Sequence, residues 1–236
     1  MEYSVIIPLF NEQESLVLLQ EELDVVLRKT NAAYEIIYID DGSTDASLET
    51  LKGIRKRYPE VKIVSFKKHA GKSAALCAGF NVARGRFFIT LDADLQNNPA
   101  DIPELLRFKD QCDLIMGIRV KRQDSWLQRF SSGFAHGCRQ LVLKDQTKDA
   151  GCALRVFRRE VLDSVYLFRN FHRFFGYLVR AHGFTVKDIP VTHRPRSFGK
   201  SKYTTLKRLI EGIFDLFGVW WIQKRQIRYE IAYQSE

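Results

Sequence analysis

Phe87-Phe88-Ile89-Thr90-Leu91-Asp92-Ala93-Asp94-Leu95-Gln96 is a short apolar run that ends in two carboxylates one residue apart. A run this short, rich in aromatic residues and bounded by polar ones, reads as a buried strand. Ligands of open α/β sheets collect at the carboxyl ends of parallel strands, so Asp92 and Asp94 fall where a site forms. Working outward, Val5 to Leu9, Glu35 to Asp40 and Val61 to Phe66 predict three earlier strands, and Asp113 to Gly117 a fifth. Leu16, Leu19, Leu23, Val26 and Leu27 recur at helical spacing between the first two strands, the mark of an amphipathic helix. Ser47 to Tyr58, Lys72 to Ala83 and Asp101 to Phe108 are further expected helices. Strands alternating with helices build an α/β fold: a Rossmann-like, mostly parallel sheet flanked by helices.

Other predicted strand ends are also polar. The first runs into Pro8-Leu9-Phe10-Asn11-Glu12 and the second into Asp40-Asp41-Gly42-Ser43-Thr44-Asp45, while Gly71-Lys72 opens the third helix. Gly42 permits a tight turn, and Ser43, Thr44 or Asp45 can cap the helix that follows. Capping leaves Asp40 and Asp41 for hydrogen bonds to a ribose or a nucleobase. Asp92 and Asp94 offer hard oxygen ligands, which favour Mg2+ or Mn2+ over zinc.

Composition narrows the partners. The 236 residues carry 37 Lys and Arg against 28 Asp and Glu, a formal net charge of +9, which selects for phosphates, nucleic acid or anionic lipid. Nucleic acid is disfavoured, because backbone binding gains nothing from Glu12, Asp41, Asp92 and Asp94 at one sheet edge. With 45% hydrophobic residues, the chain is not of the disordered class. Cys77, Cys112, Cys138 and Cys152 form no C-x-x-C pair and are expected as buried free thiols. The N-terminus lacks a signal-peptide pattern, and Leu209 to Ile222, interrupted by Glu211 and Asp215, is too short to span a bilayer. No spanning segment and no export are expected.

From Arg119 onward the pattern is mostly helical, over Trp126 to Leu143, Glu160 to Phe168 and Arg173 to His182, with one strand-like run at Thr185 to Val191. In the last helix Leu206, Leu209, Ile210, Ile213, Phe217, Trp220 and Trp221 share a face, with Lys207, Arg208, Lys224, Arg225 and Arg228 around or after it. A docked core helix and a membrane-interfacial helix both fit that face.

The ordered set of motifs resembles the family 2 glycosyltransferases of the GT-A fold. It comprises Ile7-Pro8-Leu9-Phe10-Asn11-Glu12, Asp40-Asp41-Gly42-Ser43, Gly71-Lys72-Ser73, Asp92-Ala93-Asp94-Leu95-Gln96 and Gly117-Ile118-Arg119. Asp149-Ala150-Gly151-Cys152, His172-Arg173-Phe174 and the stretch from His193 to Tyr203 are similar to the group of dolichol-phosphate mannose synthases and undecaprenyl-phosphate glycosyltransferases. His69 stands where that family usually has Asn, and His136 where an R-x-x-S-x-x-x-N pattern from Arg129 and Ser132 would end in Asn.

The resemblance implies that Asp92, Asp94 and Gln96 bind Mg2+ or Mn2+, and that Pro8, Glu12, Asp41 and Lys72 contact a GDP-mannose or UDP-sugar donor. It implies that Arg119, Arg129, Ser132, Arg196 and Lys202 receive the phosphate of a polyprenyl acceptor, undecaprenyl or dolichyl. Asp92, Asp94, Arg119, Arg196 and Lys202 would carry catalysis, by inverting transfer from donor to acceptor phosphate. One domain is expected: residues 1–118 for the donor, 119–202 for the acceptor, and 203–236 as an amphipathic helix and tail. A peripheral position on the cytoplasmic face of a membrane, with a separate membrane partner, follows from the lipid acceptor. The alternatives are a glycosyltransferase acting on a sugar hydroxyl, with Asp149 as its general base, and a basic membrane- or nucleic-acid-binding protein.

Overall fold

Tyr3–Leu9 is buried at every position, as a strand covered on both faces must be. This is β1, the centre of the sheet in the computed structural model, which describes residues 1–120, 133, 137–195 and 205–225, without the side chains of 205–210. The other strands are β2 (Tyr34–Asp40), β3 (Val61–Ser65), β4 (Phe87–Thr90), β5 (Leu114–Arg119), β6 (Arg155–Arg158) and β7 (Val186–Val191), in the order β3-β2-β1-β4-β6-β5-β7. β1 pairs in parallel with β2 and with β4. The chain thus winds outward through β2 and β3, then returns to the other side of β1.

The α/β expectation holds, with one strand the sequence reading did not contain. β6 runs antiparallel to both β4 and β5. Its reversed direction brings the residues before it, 149–154, to the edge where β4 and β5 end.

Three helices connect the first four strands: α1 (Leu16–Arg28), α2 (Ser47–Arg57) and α3 (Lys72–Val82). α1 buries Leu16, Leu19, Leu23 and Leu27, the face its periodicity predicts. α3 lies very close to the sheet, since a Cβ on Gly79 would stand 2.6 Å from Ile6 and 2.8 Å from Ile39. Past β4 come a 3-10 turn (Pro99–Asp101) and α4 (Ile102–Leu106). The helix expected from Glu160 to Phe168 stops at Ser164, where Val165 turns extended with φ −104 and ψ 126; the β-branched and aromatic residues that follow favour that conformation.

The described chain forms two compact units, residues 1–123 with 147–200, and residues 124–146 with 201–236. The first holds the whole sheet. In the second, residues 137–143 are helical, and Arg139 faces the fully buried Asp145 at 3.3 Å. Its last helix (Thr205–Lys224) buries Leu216 and Val219 and leaves Phe214, Phe217, Trp220 and Trp221 exposed. All four cysteines are free, and only Cys152 is fully buried.

Candidate active site

The loop after β4 alternates. Leu91, Ala93 and Leu95 are buried in the core, while Asp92, Asp94 and Gln96 between them are half-buried. The apolar side chains anchor the segment, so the carboxylates project on its other side. Leu95 adopts the left-handed conformation with φ 63, and the Asp94 carboxylate accepts from the Gln96 amide at 3.2 Å. Asn97, 4% exposed, accepts from the Asp92 amide at 3.3 Å. Arg194 clamps the outer side: its amide donates to the Gln96 carbonyl, and its guanidinium reaches Glu22 and Asn98.

The neighbouring strand ends are joined by side chains. Asn11, at φ 55, accepts from the Thr44 amide at 2.7 Å, and its own amide donates to Ser43 Oγ. The Glu12 amide donates to Ser47 Oγ. Asp40 is spent on its own turn, accepting from the Ser43 amide and Ser65 Oγ. Asp41 is 3% exposed; its carboxylate accepts from the Ala70 amide at 2.7 Å and the Gly71 amide at 2.9 Å, with His69 Nδ1 also 2.9 Å away. A carboxylate in front of the α3 N-terminus also meets the positive end of that helix. His69 in turn lies against Phe10, their ring centroids 4.4 Å apart. Gly42 is obligatory here, since its φ is +71 and a Cβ would come within 2.7 Å of the Lys68 backbone.

Lys72, the first residue of α3, reaches across to Asp92, Nζ to Oδ1 2.5 Å. Ser73 beside it accepts from the Asn170 amide at 2.8 Å and lies 3.1 Å from His172 Nδ1. Two sites the sequence left separate therefore meet, because the motif at His172 is brought against the first turn of α3.

On the far side, Arg119 at the end of β5 is held by Asp149. The carboxylate accepts from the Arg119 amide, Nε and Nη2, at 3.2, 2.7 and 2.8 Å. Beneath them Arg155 on β6 is buried, donating to the carbonyls of Cys152 and Ala150. Burial lowers its pKa, partly offset by the neighbouring Cys152 and the carboxylates of Asp92 and Asp149. Burial also pushes the Cys152 thiol up to about 11, with the Asp149 charge adding to the effect.

Of the residues expected in the site, Glu12, Asp41, Lys72, Asp92, Asp94, Gln96 and Arg119 gather along the carboxyl edge of the sheet. Pro8 is buried within β1, paired with Ile39. Arg129, Ser132, Arg196 and Lys202 lie outside the described residues, as does His136. Sequence reasoning missed the partners: Arg155, the Arg119–Asp149 pair and the Ser73–His172 contact. Asp149, the candidate base of the alternative with a hydroxyl acceptor, is committed to the Arg119 guanidinium.

Asp92 and Asp94 fit a hard divalent cation. They are oxygen donors, half-buried on an anchored loop, and Asp92 already holds a cationic group. Among the described residues no three His, Cys, Asp or Glu side chains converge.

The family model for glycosyl transferase family 2 matches residues 4–166. The chain belongs to glycosyl transferase family 2. Similar family 2 proteins include the undecaprenyl-phosphate 4-deoxy-4-formamido-L-arabinose transferases of Edwardsiella ictaluri and Serratia proteamaculans, 38% and 36% identical over 90% of this chain and 66% of theirs. The family 2 chain thus spans just under two thirds of the length of these relatives. In fold it is similar to glucosyl-3-phosphoglycerate synthase of Mycobacterium tuberculosis, solved with Mn2+, UDP-glucose and phosphoglyceric acid (TM-score 0.66, 15% identity, 92% of this chain and 80% of that one). It is also similar to a Pyrobaculum calidifontis mannosyltransferase solved with GDP-Man and Mn2+ (TM-score 0.63, 17% identity, 97% of this chain and 66% of that one). These likenesses bear out the GT-A fold.

Proposed function

We propose that the chain transfers a sugar from a nucleoside diphosphate donor to a polyprenyl phosphate, with inversion, giving a polyprenyl-phospho-sugar. The observation that carries this reading is where Asp92 and Asp94 stand. They leave β4 beside β1, at the point where the winding of the sheet reverses, which is where α/β sheets bind nucleotides. The names of the relatives at 36 to 38% identity supply the acceptor class.

In this reading Glu12 and the loop held by Asp41 receive the nucleoside. Asp92 and Asp94, with Gln96 beside them, would hold Mg2+ or Mn2+, which offsets charge on the departing diphosphate. Lys72 adds a cation on the same side. Arg119, kept in orientation by Asp149, presents a guanidinium toward the acceptor phosphate together with Arg129, Ser132, Arg196 and Lys202. An acceptor phosphate needs no general base, because its second pKa near 6 leaves it mostly dianionic at neutral pH. That agrees with Asp149, whose carboxylate is occupied by Arg119; a hydroxyl acceptor would need a base, and Asp149 does not offer one.

Among the described residues no helix is long and apolar enough to cross a membrane. The exposed Phe214, Phe217, Trp220 and Trp221, with Arg225 stacked 5.0 Å from the Trp221 ring, support a peripheral position on the cytoplasmic leaflet, where a water-soluble donor and a lipid acceptor meet.

The test is to offer GDP-mannose, UDP-glucose, UDP-GlcNAc and a nucleotide of 4-deoxy-4-formamido-L-arabinose with undecaprenyl or dolichyl phosphate, and to weigh the lipid products. A lipid heavier by one sugar phosphodiester-linked to the polyprenol, formed only with Mg2+ or Mn2+, is expected. Transfer to a sugar hydroxyl but not to lipid phosphate would overturn the reading.

A further inference from the structure

Asp92 has one side-chain hydrogen-bond partner among the described residues, and it is a cation. Lys72 Nζ lies 2.5 Å from its Oδ1, with the two side chains 30% and 31% exposed. Both ends of this pair stand on fixed ground. The Asp92 backbone is held by Asn97, and the first turn of α3 is held through Ser73 by the Asn170 amide and through Gly71 by Asp41. What can move is the four-carbon arm of Lys72, a flexible stem ending in a compact charge.

An ammonium in direct contact with a carboxylate competes with a divalent ion for it, because the two cations repel at close range. A pair this exposed is weakly held, so displacement is easy. The released ammonium then needs a new anion, and the donor's diphosphate is the anion that arrives beside Asp92.

We propose that Lys72 is an exchangeable counter-cation: it neutralises Asp92 in the free chain, yields that carboxylate to the divalent ion, and passes to the diphosphate of the donor. This rests on the reading of Asp92 and Asp94 as the cation site. It makes the binding of cation and donor mutually reinforcing, since each gives Lys72 a reason to leave Asp92, and such coupling is reciprocal.

The experiment is a titration of the whole chain with Mn2+, followed by the electron paramagnetic resonance of the free ion, with and without UDP. Wild type, Lys72→Met, Lys72→Arg and Asp92→Asn are compared, with thermal melts as the check on folding. Lys72→Met is expected to bind Mn2+ alone about three- to fivefold more tightly than wild type, the effect of removing a half-exposed competitor. UDP should then strengthen its Mn2+ binding less than it does for wild type, while Lys72→Arg follows wild type. If Lys72→Met does not fold, Lys72→Gln is read in its place.

Mn2+ binding that is lost in Asp92→Asn but not tightened in Lys72→Met overturns the exchange and leaves the cation site standing. Binding unchanged in Asp92→Asn, with and without UDP, removes the cation site and the exchange with it.

Discussion

Arg119 and Asp149 are joined by three hydrogen bonds, one from the backbone amide and two from the guanidinium, with both side chains largely buried at 13% and 5% exposure. Removing one partner leaves the other charged and buried, so Asp149→Ala is expected to lower stability by about 3 kcal/mol. Urea unfolding followed by circular dichroism measures it. A loss under about 1 kcal/mol, the range of an exposed pair, would show that the contact contributes little.

Asp94→Asn keeps the volume of the side chain and removes its charge. Turnover is expected to fall by about 100-fold or more, the scale seen when one group that stabilises transition-state charge is lost. The melting temperature should stay near wild type, because Asp94 is only half-buried. Unchanged metal-dependent turnover would remove Asp94 from the site.

Gly42→Ala meets backbone, not a yielding side chain, with Lys68 C at 2.7 Å and His69 N at 2.8 Å, at a φ of +71. The expected cost is about 1 to 3 kcal/mol for the conformation, before the clash is counted. The displaced Lys68–Gly71 segment would also release Asp41, so weaker nucleotide binding in calorimetry should accompany the lower melting temperature.

Glu35 sits at the opposite edge of the sheet, 1% exposed. Burial alone would raise its carboxyl pKa; hydrogen bonds from Lys62, Ser4 Oγ and the Arg84 amide outweigh it and hold the pKa below the ordinary value. A depressed carboxylate stabilises the fold above its unfolded pKa, about 4.3, and that contribution fades as pH falls through the folded value. Glu35→Gln should therefore be less stable than wild type at pH 7, by about 1 to 3 kcal/mol, with the gap closing in acid. A gap that widens below pH 4 would contradict the sign.

For the last helix, Trp220→Ser with Trp221→Ser is expected to fold, since both rings are exposed, and to sediment less with anionic vesicles while binding nucleotide normally. Basic residues near such a surface contribute about 1 kcal/mol each, so binding of the wild type should weaken with salt. Unchanged sedimentation would remove the interfacial role.

The parallel part of the fold was legible because apolar strands and amphipathic helices alternate through residue 118, and each periodicity states its own element. β6 was not. Arg155-Val156-Phe157-Arg158 has a charge at each end, and nothing local reveals that Arg155 is satisfied by two carbonyls inside the protein. The strand ends marked the candidate site but not its wiring. Asp40 and Asp41 look alike in sequence, yet one closes its own turn and the other fastens the loop before α3. The contact of Ser73 with His172 joins residues 99 apart, a distance over which no spacing rule operates. The last helix left two readings open, a docked core helix and an interfacial one. Apolar residues surround it, so the face chosen by periodicity includes Phe217, Trp220 and Trp221, while the buried residues among its described side chains are Leu216 and Val219.

The reversed direction of β6 has an architectural consequence. It returns the chain to the edge it left at Arg119, and the Arg119–Asp149 pair fastens exit to re-entry across a separation of 30 residues. The stretch between them therefore begins and ends at one point of the sheet edge. Loop closure grows only slowly more costly with length, so a change in the length of that stretch costs the sheet little once the Arg119–Asp149 pair is made.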